Sequence, residues 1–507
     1  MKKFTFIGIS IAIALGFTAC QKEDIAPAEQ SQDRALVTDI FSASLDALAT
    51  RTATEDYGVT VTWAANDKVY YYSQDGGTVR NFTIESAGTS ATLTLEREEA
   101  DNYYHLVHAG DTEPNITTNT INAMVISSGV PAAQNGTFAS ANVSVGHTQP
   151  GEYSITFKPV TALVKFTTER TDIKTIYLTA GNNAAVAGDI SVDPVEDSPI
   201  ATLSGTGNSV ITVTFDSPAA GTYYINVLPA TYSKGFTLFL KDNNDEVIGT
   251  VAASKSIDLS AGGKMINLGN IDSHIILGAL PGVFSISSWQ KVRFSKGNLR
   301  AKKVDDSWTW GFYEHQYGYN SNPVTNYIRT ATSSDTEIDL FCWGYDESGS
   351  INPTENATRS SFTDWGSQIG SGWRTLSGGG SGEWYYLIYN RTNADKRYKY
   401  NVTVCGATKC IVIAPDNFSG SIAKEYTAET WPAAEASGLV CLPVAGYRSG
   451  TEVKNVGYYG YYWTATPVNN DETNAFYLQV NSSGFQSPTY YATRNNGRSV
   501  RLVYPVE

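Results

Sequence analysis

The chain has 507 residues, 41% of them hydrophobic and 12% aromatic, which is enough to bury the cores of roughly two to four domains. Its formal net charge of −14 at pH 7 argues against a nucleic-acid partner and against charge-driven binding to an anionic membrane. None of the five histidines follows His315, so a histidine-dependent nucleophile is excluded from the C-terminal region unless His315 itself serves.

The N-terminal segment is predicted to be a secretory signal that ends at a cysteine. Two lysines precede an apolar run over residues 4–17, and this run is too short to span a bilayer comfortably. The cleavage site before Cys20 resembles a bacterial lipobox, although Phe17 stands where the usual leucine would be. We therefore predict a lipoprotein signal peptide over residues 1–19 and lipidation of Cys20. The alternative is a plain signal peptide with a coincidental cysteine.

The residues directly after the cysteine carry a second targeting pattern. Residues 21–24, Gln-Lys-Glu-Asp, resemble the short signal that sends Bacteroidetes lipoproteins to the outer face of the outer membrane. The resemblance implies a lipid-anchored outer-membrane protein that faces the cell exterior, with membrane lipid as a partner through acylated Cys20. The following stretch is rich in Ala, Ser, Gln and Asp, so residues 20–52 are predicted to be the lipidated cysteine and a tether.

Residues 53–270 are predicted to be all-β. Alternating apolar and polar residues recur at spacings typical of a β-sandwich, and turn signals rich in Asp, Asn and Gly separate the runs. His105 and His108 lie three residues apart, which in a strand places them on opposite faces, so no metal site is predicted there. The predicted strands cover residues 59–63, 68–73, 153–157, 162–166, 210–215, 223–228 and 236–240.

Four short motifs in this region carry a resemblance to a known family. They cover residues 50–52, 61–69, 157–166 and 266–269. Together they resemble the fimbrillin family of Bacteroidetes type V pilus subunits and their relatives. The resemblance implies two transthyretin-like β-sandwich lobes within residues 53–270, with a division near residue 170.

Tryptophan marks the start of a different region. Nine of the ten tryptophans lie at or after Trp289, so we place a junction at residues 271–282 and a separate domain at residues 283–507. Two short helices are predicted in this domain, over residues 383–391 and 427–438, among many short strands. The predicted layout of the domain is α+β.

Six motifs in chain order carry a second resemblance. They cover residues 292–299, 339–344, 372–387, 442–448, 462–466 and 498–503. They resemble a C-type-lectin-fold domain of Bacteroidetes surface proteins, whose relatives include a paralogous surface-domain family described from Fibrobacter, formylglycine-generating enzymes and the variable proteins of diversity-generating retroelements. The expected fold class is therefore mainly β: tandem transthyretin-like β-sandwich lobes followed by an α+β C-type-lectin-like domain.

Residues 455–496 have the composition of a binding surface. Fourteen of these forty-two residues are Tyr or Asn, which supply stiff amphipathic rings and adaptable polar groups. The alternative is a Tyr-rich sheet that is simply β-prone. The resemblance to retroelement proteins implies a candidate variable segment over residues 455–501, although a static paralogue would have a similar composition. The ligand-binding candidates, chosen as loop or strand-end positions, are Tyr458, Tyr459, Tyr461, Asn469, Asn470, Asn474, Phe485, Tyr490, Tyr491, Asn495 and Asn496.

The framework of this domain is predicted from its tryptophans and arginines. Trp373, Trp384 and Trp463 are expected to form the core beneath the loops, because a lone Trp in a Gly-rich β domain is more often packing than a sugar platform. Arg498 and Arg501 are expected to share one face of the last strand and to brace loops or pair with acids.

An enzymatic function is not predicted, and neither catalytic residues, a metal site nor a cofactor is assigned. Formylglycine-generating enzymes use a cysteine pair in this fold, and Cys405 and Cys410 are such a pair in sequence. Apolar strands flank the pair as in a hairpin, which favours a structural disulfide between Cys405 and Cys410, or two buried thiols, in an exported protein. The pairing of Cys342 and Cys441 is left open.

These observations predict a cell-surface lipoprotein adhesin. Its lectin-like head would bind a protein or glycan ligand on host or neighbouring cells, and nucleic acid is not an expected partner. The alternative is a structural or accessory subunit, minor or at the tip, of a type V fimbria, with other fimbrial subunits as partners. Such a polymerising subunit should be processed at an arginine such as Arg51.

Overall fold

The fold is mainly β, as predicted. The predicted signal peptide, Cys20 and the export signal lie outside the described part of the chain. Among the described residues no helix is long and apolar enough to cross a membrane. A computed structural model describes residues 36–45, 49–50, 63–72, 79–84, 87–98, 104–109, 113–138, 143–305, 307–319, 337–344, 362–393, 397–406, 408–450, 452–481 and 483–506.

Strands β1 to β11 form the first part of the described chain. Seven of them make one sheet in the order β4-β3-β6-β10-β11-β1-β5. Their bounds are β1 Leu36–Leu45, β2 Ala49–Thr50, β3 Lys68–Tyr72, β4 Val79–Thr83, β5 Ser90–Glu98, β6 Tyr104–His108, β7 Asn115–Thr120, β8 Ala123–Val130, β9 Ala133–Gln134, β10 Ser144–Thr148 and β11 Ser154–Pro159.

The interpretation of residues 20–52 as a tether is wrong for Leu36–Leu45. This segment is a ten-residue strand inside the seven-stranded sheet, antiparallel to β5 and parallel to β11. Phe41 and Ala43 are buried, whereas Ile40, the residue before Phe41, points outward and is 59% exposed. Every second residue therefore faces the core. The small polar residues between the apolar ones gave the segment the composition of a linker, and only its pairing with distant strands reveals the strand.

Strands β12 to β23 follow. Together with β2 and β9 they build a four-stranded sheet in the order β17-β12-β22-β2 and a six-stranded sheet in the order β23-β20-β19-β13-β16-β9. Their bounds are β12 Ala162–Thr168, β13 Thr175–Ala180, β14 Gly188–Val192, β15 Thr202–Leu203, β16 Val210–Thr214, β17 Gly221–Val227, β18 Thr231–Tyr232, β19 Phe236–Lys241, β20 Val247–Ala253, β21 Ile257–Asp258, β22 Lys264–Asn270 and β23 Ile276–Leu277.

A division near residue 170 does not separate the sheets. Strand β8 pairs with β14, and β9 pairs with β16, so segments from before residue 170 complete sheets formed after it. One buried cluster likewise joins Tyr70 and Met124 to Ile176 and Leu238. The expected boundary assumed that each lobe is contiguous in sequence, whereas the chain crosses between the sheets more than once.

The C-terminal region contains sixteen strands and two short α-helices in its described part. The helices are α1 Glu383–Tyr385, continued by a π-helical turn over Tyr386–Asn390, and α2 Trp431–Ala436, so helical structure lies at both predicted positions. The strands are β24 Phe284–Ser285, β25 Lys291–Phe294, β26 Leu299–Val304, β27 Ser307–Phe312, β28 Glu337–Ile338, β29 Arg374–Thr375, β30 Tyr398–Val404, β31 Thr408–Ile413, β32 Glu425–Tyr426, β33 Val440–Pro443, β34 Tyr447–Ser449, β35 Glu452–Lys454, β36 Tyr459–Pro467, β37 Asn474–Asn481, β38 Gly484–Thr493 and β39 Leu502–Val506.

The predicted tryptophan core is confirmed. Trp373, Trp384 and Trp463 are all buried, and the indole nitrogen of Trp463 donates a hydrogen bond to the carbonyl oxygen of Phe341 at 2.7 Å. This bond replaces the hydration that the indole N–H of Trp463 loses on burial. These side chains fill the space beneath strands β36 to β38.

The hydrophobic core continues across the predicted junction. Tyr177 and Phe239 of the preceding sheet pack in one buried cluster with Phe284 and Trp384 of the later region, and Leu280 of the junction itself joins this cluster. Residues 271–282 therefore do not act as a spacer, because the apolar side chains on either side of them exclude water together.

The predicted disulfide between Cys405 and Cys410 is wrong. The hairpin of β30 and β31 exists, but its register places Cys410 opposite Val402, while Cys405 lies in the turn with a φ of 50°. Strand β33 runs along the other side of β31 and brings Cys441 to Cys410, where the two form the disulfide with their Cα atoms 5.8 Å apart. Spacing along the chain could not show this partner, since it belongs to the next strand of the sheet.

Candidate functional site

The tyrosine-rich segment forms a three-stranded antiparallel sheet, β36-β37-β38. Its central rows align Trp463 with Tyr477, and Tyr477 in turn with Tyr490. Antiparallel neighbours on one face interact through their side chains, so these rows set which rings meet. The sheet thus places some aromatic residues in its buried interior and others on its exposed surface. We call the exposed surface of β36 to β38 the rim.

Three predicted contact residues lie at this exposed rim. Tyr458, Tyr490 and Tyr491 are 74%, 49% and 58% exposed. The ring of Tyr490 stacks on that of Tyr477 with a centroid separation of 6.4 Å. Asn469 and Asn470 are also exposed, in the turn between β36 and β37. The rim therefore offers aromatic and amide groups to solvent together.

Tyr461 is not a surface residue, which corrects its assignment as a solvent-facing contact. It is only 8% exposed, and its hydroxyl oxygen accepts a hydrogen bond from the side-chain amide of Asn455 at 3.1 Å. Tyr462 and Trp463 beside it are buried too. Strand β36 is covered on both faces, so the expected alternation of inward and outward residues does not apply.

Tyr459 and Phe485 are intermediate in exposure between the rim residues and buried Tyr461. The half-buried ring of Tyr459 stacks against Tyr461 at 6.0 Å, and half-buried Phe485 packs edge-on against Tyr398 at 4.8 Å. Phe485 also contacts the hydrophobic cluster beneath the sheet. Both side chains therefore support the sheet as well as bordering its surface.

Several predicted asparagines hold turns. The side-chain amide of Asn474 donates to the Asp471 carboxylate at 2.6 Å, and that of Asn496 donates to the Thr493 hydroxyl at 2.8 Å. Asn470 has a φ of 58°, in the left-handed region that Asn tolerates better than most residues. Half-buried Asn495 accepts a bond from the Cys342 thiol through its backbone carbonyl at 3.1 Å. Much of the asparagine excess thus has a conformational explanation that composition alone did not reveal.

Arg498 supports the sheet from below. Its guanidinium carbon lies 3.8 Å from the ring centre of Tyr477, 4.8 Å from Tyr461, 5.0 Å from Trp463 and 5.4 Å from Tyr447. Burial lowers the pKa of Arg498 to about 10, so the side chain stays charged at neutral pH. Four rings around one cation form a stiff base, since each presents its electron-rich face to the charge.

Arg498 and Arg501 do not share a face, contrary to the expectation. The guanidinium of Arg501 donates to Gln316 Oε1 at 3.1 Å and to Asn298 Oδ1 at 3.4 Å, well apart from the rings around Arg498. Residues three apart in an extended chain point to opposite sides, which is the reason. Tyr447 and Tyr477, which complete the base, were not selected from sequence, although their aromatic character was the available signal.

A loop beside α1 ties the sheet to the rest of the domain. The carboxylate of Glu383 accepts two bonds from the Arg374 guanidinium, at 2.6 and 2.8 Å. In the same loop the backbone N–H of Gly379 donates to the carbonyl oxygen of Pro488 in β38, at 3.0 Å. Such a two-pronged ion pair fixes orientation as well as distance. The exposed rim therefore rests on a well-supported scaffold.

Comparisons with known proteins give limited matches. A family described as "Domain of unknown function (DUF8237)" matches residues 367–503, which include the whole candidate site. A comparison with curated proteins gives no match.

Solved structures from Bacteroides ovatus and Porphyromonas gingivalis are similar to parts of this chain or to most of it. A candidate cell adhesion protein from Bacteroides ovatus is 14% identical, with 46% of this chain and 93% of that chain covered and a TM-score of 0.29. A fimbrial protein from Bacteroides ovatus is 11% identical, with coverages of 92% and 99% and a TM-score of 0.23. The tip fimbrial protein Mfa3 from Porphyromonas gingivalis is 9% identical, with coverages of 43% and 81% and a TM-score of 0.18.

Proposed function

We propose that this chain is a cell-surface adhesin whose C-terminal region binds a protein or glycan through the exposed rim of β36 to β38. The observation that carries the proposal is the contrast between exposed Tyr458, Tyr490 and Tyr491 and the buried base around Arg498. Rigid aromatic side chains lose little entropy when they are covered, which is why they serve as anchors in recognition surfaces. The resemblance to C-type-lectin-like surface domains supports the same function.

Substitution of the rim rings tests this proposal. Tyr458→Ala, Tyr490→Ala and Tyr491→Ala should each fold as the parent does, and one or two of them should weaken adhesion to target cells or glycan arrays by about 2 kcal/mol or more. Tyr153→Ala is the matched control, because Tyr153 is 68% exposed but lies before β11, outside the rim. If all four variants adhere equally well, the rim is not part of the binding surface.

Surface display is the second part of the proposal. Lipidation of Cys20 and export by residues 21–24 would hold the protein on the outer membrane with its C-terminal region outward. Cys20→Ala should release soluble protein, whereas Lys22→Ala with Glu23→Ala should leave a membrane protein protected from added protease. Equal protease access in that double variant contradicts surface export.

Diversification by a retroelement is a proposal for residues 455–501. It is supported by the resemblance and by the Tyr and Asn content, although the conformational roles of Asn470, Asn474 and Asn496 account for part of that content. The sequence of the neighbouring DNA tests this proposal. A reverse-transcriptase gene and a near-copy of the coding segment are expected, and their absence removes the proposal.

A fimbrial subunit is the second candidate function, favoured by the position of β1. Arg51 follows Leu36–Leu45 in sequence, and β1 lies between β5 and β11 in the sheet. Cleavage at Arg51 would separate β1 from the rest of the chain and leave two strands with unpaired edges, which are templates for another strand. A processed subunit should form ladders on a denaturing gel, whereas a lipid-anchored adhesin should run as one band.

A further inference from the structure

A cavity of about 800 Å³ lies where the β13, β19 and β20 sheet meets the C-terminal region. Its wall on one side includes Lys234 and Thr237, and on the other side Lys291, Arg293 and Tyr504. A volume of this size is in the range of small-molecule sites, which often occur at the meeting of two domains. The rim of β36 to β38 does not contribute to it.

Arg293 is the unusual residue of this cavity. It is 3% exposed, and its guanidinium donates to the carbonyl oxygen of Pro281 and, at 3.4 Å, to the Thr237 hydroxyl. Its Nε has no hydrogen-bond partner, and among the described residues no carboxylate lies within 4.0 Å to pair with the charge. A buried guanidinium without an acidic partner is costly, so an anion bound beside Arg293 would offset that cost.

The other charged groups of the cavity leave an excess of positive charge. Asp416 lies 3.3 Å from buried Arg391, and hydrogen bonds from Ser285 together with that charge hold the pKa of Asp416 below its ordinary value against the effect of burial. Its one negative charge is thus already matched. Lys291, 3.6 Å from Asp416, and exposed Lys234 add two more cations to Arg293. This local excess contrasts with the acidic chain as a whole.

Backbone atoms form part of the cavity wall. Gly282 and Gly438 approach so closely that a Cβ on Gly282 would lie 2.3 Å from the Gly438 carbonyl oxygen. Asn417 bridges the two sides by donating to the Gly181 carbonyl oxygen at 3.4 Å. The lining therefore combines backbone groups, amides and hydroxyls, which can hydrogen-bond a ligand's hydroxyls, with the ring of Tyr504, which can cover the face of a ligand ring.

We propose that this cavity binds a carboxylate-bearing saccharide, with the carboxylate paired to Arg293 and the charges of Lys234 and Lys291 attracting it. A guanidinium is a planar donor that matches a carboxylate in geometry. The site is separate from the aromatic rim and does not depend on the adhesive role proposed for that rim.

Calorimetric titration of the full chain tests the proposal, with a glucuronate-containing disaccharide as the probe. The same disaccharide with its carboxylate reduced to the alcohol, and inorganic phosphate, serve as comparison ligands. The acid should bind at least about tenfold more tightly than either comparison ligand, and its affinity should fall as salt is raised. Equal binding of acid and alcohol, binding of phosphate as tight as that of the acid, or no binding at all overturns the proposal.

Two variants locate the site. Arg293→Gln should weaken binding of the acid at least about tenfold, and Lys234→Gln about threefold, mostly at low salt. Lys234 is exposed, so Lys234→Gln should fold as the parent does. It therefore tests the site even if Arg293→Gln is unstable. Arg170→Gln is the matched control, since Arg170 pairs with Asp172 outside the cavity. Unchanged affinity in Lys234→Gln and Arg293→Gln overturns the proposal, whereas unchanged affinity in Tyr490→Ala is expected from it.

Discussion

Lys241 and Glu435 form a buried ion pair that joins the two halves of the chain. The ammonium nitrogen of Lys241, at the end of β19, lies 2.9 Å from a carboxylate oxygen of Glu435 on α2, and neither side chain is more than 5% exposed. Gln316 donates to the second carboxylate oxygen at 3.1 Å. Burying either ion without the other would be costly, so each half supplies a charge that stabilises the charge of the other half.

Removal of this carboxylate should destabilise the protein strongly. Glu435→Gln leaves the Lys241 ammonium buried with only the more exposed Asp245, 3.2 Å away, as an acidic partner. We expect a loss of about 3 kcal/mol in the free energy of unfolding, measured by urea denaturation. Glu452→Gln breaks an exposed pair with Lys454 and should leave the free energy of unfolding nearly unchanged, because solvent screens such a pair. Similar losses in the two variants would contradict the coupling of the two halves.

The disulfide between Cys410 and Cys441 should stabilise the folded protein. It closes a loop with a sequence separation of 31 residues, so Cys441→Ala should lower the unfolding free energy of oxidised protein by about 3–4 kcal/mol. Cys405→Ala should change it by less than about 1 kcal/mol. The difference between the parent and Cys441→Ala should largely vanish in reductant. Peptide mapping that links Cys405 to Cys410 in the parent would contradict the assignment.

Two tyrosines of the same sheet should respond in opposite ways. Tyr461→Ala removes a buried ring from beside Arg498 and should cost roughly 3–5 kcal/mol of stability. Tyr490→Ala removes an exposed ring and should cost about 0.5 kcal/mol or less. Thermal melts of the two variants beside the parent measure this. If Tyr461→Ala melts with the parent, Tyr461 does not support the sheet.

A buried histidine should make stability depend on pH. Burial lowers the pKa of His105 to about 4. The ring shares a hydrogen bond of 2.7 Å with the Asn119 side chain. It also faces His147 across β6 and β10 and lies near Asp193. Below an unfolded pKa of about 6.5 the unfolded chain binds a proton that the folded chain excludes. Stability should therefore fall as pH drops from about 6.5 towards 4, by roughly 2 kcal/mol at pH 5 from this group.

Denaturation at pH 7.5 and pH 5 checks the histidine prediction. His105→Gln should show a smaller loss between the two pH values than the parent, while exposed His274→Gln should keep the parent's loss. The residual slope in His105→Gln should include the contribution of His147, whose pKa burial also lowers. A parent with the same stability at both pH values would contradict the depressed pKa.

The candidate site was predicted in part. The composition of residues 455–496 identified the segment, and exposed Tyr458, Tyr490 and Tyr491 lie where contact residues were expected. Tyr461 was misassigned because residue type does not distinguish a ring on an exposed edge from one in a strand covered on both faces. The cavity around Arg293 was missed altogether, although a charged residue between apolar neighbours in β25 was a usable signal.

The sequence by itself determined the mainly β fold, the buried tryptophans and the hairpin of β30 and β31, because alternation, turn residues and large apolar side chains act locally. Tertiary structure alone decided that Leu36–Leu45 enters a sheet, that Cys410 bonds to Cys441, and that Lys241 meets Glu435. Each of these contacts joins segments far apart in the chain. They depend on strand register and on how sheets pack, which no local pattern of residues encodes.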